Sequence, residues 1–246
     1  MNSSSSNGLV DSVYKGHRAR LLIADDHVLI AEACRSLLEP EFDVVGIVAD
    51  GRSLVELAAE LRPDVVILDI SMPELNGLDA GERIKSTKRD AKLIYMTVAS
   101  GADVAAEAFR RGASGYVLKH GDVEELRIAV RRALRGEAYV SPLLDKDGIE
   151  FRLRSGAEYH PEKTLTLRQR EILQLVVEGN TLRKIANILK IKPGTVAFHK
   201  YRIMERLGIE TTAGLIDYAI NRHIVSKDSK NAIQTQSTCS DSRPSK

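Results

Sequence analysis

An aspartate directly after a short aliphatic run is a carboxylate delivered to the end of a buried strand. Asp25 and Asp26 follow the run 21–24 (LLIA), and Asp69 follows 65–68 (VVIL). Thr97 ends the run 93–96, and Lys119 ends 116–118. If neighbouring strands carry them, three carboxylates, a hydroxyl and an ammonium share one rim. Three carboxylates held there repel one another by about 4 kcal/mol per pair at about 4 Å under moderate screening, so a counter-charge is required. A hard divalent cation with oxygen ligands supplies it, and Mg2+, which keeps part of its water, is the usual solution. A carboxylate at such a metal is also a nucleophile towards phosphorus and yields an acyl phosphate. The cation, the Thr97 hydroxyl and the Lys119 ammonium then complement the phosphoryl oxygens. Alone, an Asp pair after a strand reads as a helix N-cap and a lysine as a solvated one. The set of five points to chemistry.

These runs belong to a repeating pattern. Between 20 and 135, aliphatic runs at 21–24, 44–48, 65–68, 93–96 and 116–118 lack polar alternation, as strands buried on both faces do. The stretches 28–38, 53–61, 78–88, 104–111 and 123–135 have helical spacing. Asp122 is placed to cap the last of these and Gly136 to end it. Five β/α repeats predict a flavodoxin-like domain with a five-stranded parallel sheet. In such sheets ligands bind beyond the carboxyl ends of the strands. Residues 141–163 break the pattern with Pro, Gly and mixed charge and read as a linker with room for some local structure. From 164 the strand-like runs stop, and helical patterns at 168–178, 182–189, 195–207 and 213–221 predict a small all-α helix-turn-helix domain. The expected division is a disordered lead over 1–18, the α/β domain over 19–140, the linker over 141–163, the helical domain over 164–225 and a disordered polar tail over 226–246.

Charge follows the same division. Residues 19–140 hold 16 Lys+Arg against 21 Asp+Glu, a net of −5, whereas 163–225 hold 11 against 5, a net of +6. An acidic half joined to a basic half suggests two domains with different partners, one of them a polyanion. Hydrophobic residues at 43% allow a buried core, and aromatics at 4% favour aliphatic α/β or all-α packing. Cys34 and Cys239 have neither a disulfide framework nor metal-ligand spacing, which fits a reducing compartment. No run approaches the ~18 apolar residues of a membrane span, and the Ser/Asn-rich start is no secretory signal. A cytoplasmic protein without a membrane partner is expected.

The segments LLIADDHVLI, DVVILDISMPELNGLDA, YMTVAS and GASGYVLK together resemble a response-regulator receiver domain over about 19–140. The resemblance implies that Asp69 accepts a phosphoryl group from a sensor histidine kinase. It implies Mg2+ bound by Asp26 and Asp69, with Asp25 acting through water and Ser71 lending its backbone carbonyl. Thr97 and Tyr116 would form a switch pair, and Lys119 would pair with the acyl phosphate. Two positions depart from the family. Lys119 is followed by His120 instead of Pro, which removes the basis for the cis peptide of many receivers. Val98 stands where Ala or Ser is usual, and its bulk restricts access to the site.

LTLRQREILQLVVEGNTLRKIANILKIKPGTVAFHKYRIMERLGI resembles the LuxR-type helix-turn-helix of NarL/FixJ regulators over about 164–225. Val196, Ile203 and Leu207 recur at helical spacing as an inward stripe. Phe198, Tyr201 and Arg202 take the opposite side, with Ala197 and Lys200 on its flanks. A helix this long lies in a major groove. Lys184, Lys192, Lys200, Arg202 and Arg206 are placed for phosphates. By resemblance, Thr195 holds a family position, and Ala197, Phe198 and Tyr201 face base edges. Ala197 cannot hydrogen-bond a guanine, so readout would rest on thymine methyls and DNA shape. The resemblance also implies a homodimer contact at Leu215, Ile216 and Ala219, suited to paired DNA half-sites.

The reading is a phosphorylation-dependent transcriptional regulator, not an enzyme beyond its own phosphorylation and dephosphorylation. A haloacid-dehalogenase-type phosphatase would want a DxD pair after the first strand, which Asp25-Asp26 is not. A phosphate-independent binding module would not need the full acidic set.

Overall fold

The computed structural model describes residues 17–155, 165–222 and 224–225. These fall into two compact units, one carrying a sheet and the other a group of helices. The expected lead up to residue 16, the stretch 156–163 of the expected linker, residues 164 and 223 of the expected helical domain and the tail from 226 lie outside the described residues.

The sheet is parallel throughout, with strands β1 (Arg20–Ala24), β2 (Asp43–Val48), β3 (Val65–Leu68), β4 (Lys92–Thr97), β5 (Gly115–Leu118) and β6 (Tyr139–Val140) in the order β2-β1-β3-β4-β5-β6. Helices α1 (Val28–Leu38), α2 (Gly51–Leu61), α3 (Gly77–Thr87), α4 (Ala102–Arg110) and α5 (Val123–Leu134) connect successive strands. Side chains alternate across a strand. Leu21 and Ile23 therefore join Ala31, Leu38, Val130 and Ala133 in one core, while Leu22 is buried outside that cluster. β1 and β3, buried along their length, match the expectation of two-sided burial. β2 does not: it is half-exposed because it forms the sheet edge.

The start and stop signals act as local chemistry dictates. Asp122 accepts the Glu124 N–H at 2.9 Å and opens α5. Gly136, at φ +79°, follows its end in the left-handed conformation that glycine adopts without strain. Asp50 caps α2 by accepting from Ser53 N at 2.8 Å.

One expectation needs correction. The sheet has six strands, because Tyr139–Val140 pairs with Gly115 and Tyr116 beyond the last expected strand. Two residues carry no periodicity, so only the tertiary partner reveals them. The stretch expected to be a linker contains α6 (Lys146–Ser155), which packs on α4. Gly148 and the mixed charge hide this helix. Asp145 accepts from Gly148 N at 3.0 Å, Ile149 is buried, and Arg110 donates to the Arg152 carbonyl at 2.9 Å.

A buried ion cluster ties α3 to the end of α4. The Arg111 guanidinium lies 2.7 Å from Asp79, 3.3 Å from Glu82 and 2.7 Å from Glu107. Burial pushes the Glu107 carboxyl up, but Arg111 and Arg110 more than offset it and hold it below its ordinary value. Cys34 is buried beside Met96, and desolvation pushes its thiol up to about 11, as suits a packing residue.

The second unit consists of α7 (Leu167–Val177), α8 (Leu182–Leu189), α9 (Pro193–Leu207) and α10 (Thr212–Asn221). Threonines cap three of them. Thr166 forms a capping box with Gln169, Thr181 accepts from Lys184 N, and Thr211 accepts from Gly214 N. Pro193 occupies the first turn of α9, and Gly208, at φ +65°, ends it. Ile172, Ile185, Leu189, Val196, Ile203 and Leu215 meet in its core. Only three residues separate α8 from α9, the spacing of a helix-turn-helix.

Candidate functional site

Strand pairing assembles the acidic rim. Ala24 is paired with Leu68, so the residues that follow, Asp25 and Asp69, emerge side by side. Asp69 N donates to Ala24 O at 2.9 Å, and Asp25 N donates to Val48 O at 3.0 Å. Both carboxylates are buried, whereas the Asp26 side chain is partly open, with 34% of its surface exposed. Thr97 is paired with Leu118, and Lys119 N donates to Thr97 O at 2.9 Å. The Lys119 ammonium reaches across, 2.8 Å from Asp25 Oδ2 and 2.8 Å from Asp69 Oδ2. Desolvation disfavours that charge, but Asp69 and Asp25 outweigh it and hold the ammonium above the usual lysine value. Asp69 Oδ1 accepts from Ile70 N at 2.6 Å.

One ammonium does not balance three carboxylates. Burial raises the Asp26 pKa, and Asp69 and Asp25 add to it while His27 opposes it. Donor atoms of Asp25, Asp26, His27 and Asp69 all lie within 4.8 Å of one another. Three carboxylate oxygens in that space fit a small hard cation, and the imidazole is the softer donor. His27 Nδ1 instead lies 2.8 Å from Asp26 Oδ1 and 3.3 Å from Asp25 Oδ1. Neither member of the Asp pair serves as the helix cap: His27 is the N-cap of α1, and its backbone N–H is held by Asp25 Oδ1 at 2.9 Å.

On the far side of the rim, Thr97 and Tyr116 converge on one residue. The Thr97 hydroxyl accepts from Ala99 N at 3.3 Å, and the Tyr116 hydroxyl donates to Ala99 O at 2.7 Å. Burial and the nearby Asp103 and Asp69 carboxylates raise the Tyr116 pKa, so its hydroxyl remains a donor. Val98, between them, is 67% exposed. Its side chain faces solvent and not the core.

On the helical unit, α9 turns Val196 and Ile203 inward, with Leu207 packed against the same core. Ala197, Phe198, Tyr201, Arg202 and Arg206 are exposed. The Arg202 guanidinium is 3.0 Å from Glu205 and 5.7 Å from the Phe198 ring centre.

Sequence comparison matches residues 21–131 to the response regulator receiver domain and 163–219 to the bacterial regulatory proteins of the luxR family. The transcriptional regulatory protein MctR of Rhizobium johnstonii is 31% identical over 212 residues, which cover 85% of this chain and 97% of MctR. The oxygen regulatory protein NreC of Staphylococcus aureus is 31% identical over 214 residues, covering 84% and 99%. This chain belongs to the response-regulator family, in its NarL/FixJ branch. The response regulator joins a receiver to a LuxR-type DNA-binding domain, the make-up of a transcription regulator and not of a classical enzyme. Among solved structures it is similar to the RcsB response regulator of Salmonella typhimurium (25% identity, 82% of this chain and 96% of that one, TM-score 0.56). It is also similar to RcsB of Salmonella enterica serovar Typhimurium bound to promoter P1flhDC with the phosphomimetic BeF3− (26%, 82% and 98%, TM-score 0.52). No helix among the described residues is long and apolar enough to cross a membrane.

The response regulator thus brings Asp25, Asp26, Asp69, Thr97, Lys119 and Tyr116 into one region. Ser71 lies two residues past Asp69, half-buried in the loop after β3. Lys184, Lys192, Thr195 and Lys200 lie on or beside α8 and α9 with at least partial exposure. The three residues expected at the dimer contact differ in exposure. Leu215 and Ala219 are buried in the core of their own unit, so of the three residues only Ile216 keeps any exposure. An apolar stripe has one periodicity whether it faces core or partner. The Lys119–His120 peptide is trans.

Two residues escaped the sequence reading. His27 is signalled only by its adjacency to the Asp pair. Gly77 opens α3 with its N–H on Ile70 O at 2.8 Å, and a Cβ there would fall 2.0 Å from the Asp69 carbonyl oxygen. A lone loop glycine gives no sign of that closeness in sequence.

Proposed function

We propose that Asp69 is the phosphoryl acceptor of this regulator and that its phosphorylation alters DNA binding by α9. The observation that supports this most is the Lys119 ammonium, held 2.8 Å from both Asp25 and Asp69 beside the buried Thr97. An Asp69 carboxylate oxygen attacks the phosphorus of a phosphohistidine on a sensor kinase, or of a small phosphodonor. The P–N or P–O bond to the donor breaks, and the leaving group takes the electron pair. Lys119 moves from the carboxylate to a phosphoryl oxygen, and the Thr97 hydroxyl turns to another. Asp25, Asp26 and Asp69, with the Ser71 carbonyl, would hold Mg2+, which supplies charge stabilisation to the phosphoryl oxygens. Removal of the group by water makes the receiver catalyse only its own phosphorylation and dephosphorylation.

In this reading the receiver spans 19–140 and the DNA-binding domain 164–225, with α6 between them. Lys184, Lys192, Lys200, Arg202 and Arg206 meet phosphates, while Thr195, Ala197, Phe198 and Tyr201 approach base edges. RcsB bound to promoter DNA supports DNA as the partner. Paired half-sites and a homodimer suit that partner, as a reducing cytoplasm suits Cys34 and Cys239. Acetyl phosphate and Mg2+, followed by intact mass, test the acceptor. Wild type gains one phosphoryl group and Asp69→Ala gains none; an equal gain by both removes Asp69 from its role.

A further inference from the structure

Phe198 and Tyr201 are 58% and 64% exposed on α9. Among the described residues of the helical unit, the only other exposed large hydrophobic is Leu182, at 38%. The unit is otherwise well packed: Val196 and Ile203, on the opposite side of the same helix, are buried. Leaving an aromatic ring in water forgoes roughly 1.5–3 kcal/mol of burial. Two rings on one exposed face therefore mark a surface that a partner covers.

The surroundings of these rings choose the partner. Lys192, Lys200, Arg202 and Arg206 flank them, in a segment of net charge +6. That is the complement of a polyanion with an apolar spot in it. Among base edges in the major groove, the C5-methyl of thymine is that apolar spot. The polar alternatives are poorly provided. Ala197 has no side-chain donor. The Arg202 guanidinium, the group best suited to fork onto a guanine, is paired with Glu205 at 3.0 Å and lies 5.7 Å from the Phe198 ring centre. A guanidinium held in this way braces the ring.

We infer that this regulator reads its half-sites through thymine methyl groups, with Phe198 as the specificity-determining residue and Ala197 leaving it room. This deepens the DNA-binding reading and rests on it. Glu205 acts as a positioning residue that holds Arg202 beside the ring, while Arg202 and the flanking lysines meet phosphates and supply affinity without sequence choice.

The test uses the full chain with acetyl phosphate and Mg2+. Binding sites are first selected from randomised duplexes. The enriched duplex is then compared with one in which each half-site thymine is replaced by deoxyuridine, which deletes only the methyl. Deoxyuridine placed outside the half-sites is the control. Burying one methyl group in each of two half-sites predicts a loss of roughly tenfold in affinity for the substituted duplex and none for the control. Phe198→Ala should bind both duplexes equally, and Phe198→Leu should regain part of the preference. Equal binding of the two duplexes by wild type, or an undiminished preference in Phe198→Ala, overturns the inference while leaving DNA binding intact. No enriched sequence, with or without phosphodonor, overturns DNA binding itself and this inference with it. A Phe198→Ala variant that loses self-association but keeps its thymine preference assigns the ring to a protein contact and also overturns it.

Discussion

Gly77 gives the sharpest test of how the fold holds Asp69, the proposed phosphoryl acceptor. A Cβ at this position would stand 2.0 Å from the Asp69 carbonyl oxygen, 2.9 Å from the Asp69 carbonyl carbon and 3.0 Å from Ile70 Cα. All three are backbone atoms, so no side chain can swing aside. Ordinary contact begins at 3.4 Å, so Gly77→Ala must push α3 and the Asp69 backbone apart by about 1.4 Å. That movement strains or breaks the 2.8 Å bond from Gly77 N to Ile70 O. Overpacking of this kind costs about 1–3 kcal/mol, and a lost hydrogen bond about 1 kcal/mol more. The helix propensity of alanine returns up to about 1 kcal/mol. The net expectation is about 2 kcal/mol lost from the sheet-bearing unit in a urea titration. The effect on chemistry should be larger. A misplacement of about 1 Å costs roughly 100-fold in rate where reacting groups must be aligned. Phosphoryl uptake from acetyl phosphate at saturating Mg2+, followed by intact mass, should fall by that factor. Gly136→Ala is the control. Its φ of +79° is unfavourable to alanine, but no atom lies within 4 Å of the added Cβ, so stability drops by about 1 kcal/mol and uptake is unchanged. If Gly77→Ala phosphorylates at the wild-type rate, or slows only by the fraction of chain unfolded, the close approach does not position Asp69.

Other substitutions probe the remaining contacts. Lys119→Met takes away the ammonium shared by Asp25 and Asp69, whose side chains are 0% and 5% exposed, and should cost about 3–5 kcal/mol in metal-free buffer. Added Mg2+ should recover part of this in the variant's urea midpoint, because a cation that binds only the folded state stabilises it. Glu107 is held below its ordinary pKa of 4.5, so the unfolded chain takes up its proton first as pH falls. The stabilisation is complete above 4.5 and is lost as pH drops through the lower folded value. Glu107→Gln should flatten the acid limb of the stability–pH curve and leave the slope near neutrality unchanged. Thr166→Val breaks the capping box with Gln169 and should lower the stability of the helical unit by about 1 kcal/mol in thermal unfolding, without changing phosphoryl uptake.

The strands and helices that hold the site were legible because each carries its own periodicity and signals. Asp122, Gly136 and the aliphatic runs are local features, and the structure uses them where they stand. The five polar residues of the acidic rim were legible for a related reason: in a parallel sheet, a strand's end is also a site's edge. What escaped was information that no single segment carries. The two residues of β6 gain their pairing from β5. The helix α6 is buried through α4, and a Gly in its first turn disguises it. Gly77 matters only because Asp69 folds back against it. Leu215 and Ala219 were ambiguous in sequence because core and interface ask for the same residues; in the structure both are buried in their own unit.

The same geometry bears on how a charge at Asp69 reaches the surface. Ala99 is gripped twice, at its N–H by Thr97 at 3.3 Å and at its carbonyl by Tyr116 at 2.7 Å. The first bond is long and weak, and the second is close to ideal. Under the proposed phosphorylation, a phosphoryl oxygen would accept from the Thr97 O–H; charge-assisted bonds are about twice as strong as neutral ones, so the hydroxyl turns to it and carries its oxygen away from the Ala99 N–H. Thr97 should therefore give up Ala99 before Tyr116 does. The freed N–H lies three residues before α4 begins at Ala102, and α4 carries α6 on its flank. The energy needed is modest, since couplings between sites are typically about 1–3 kcal/mol. Exchange of one weak neutral hydrogen bond for a charged one is of that order. Under that proposal, the asymmetry of the two bonds makes Ala99 the point at which the site would release α4, and the Tyr116 hydroxyl the tether that would limit how far it moves.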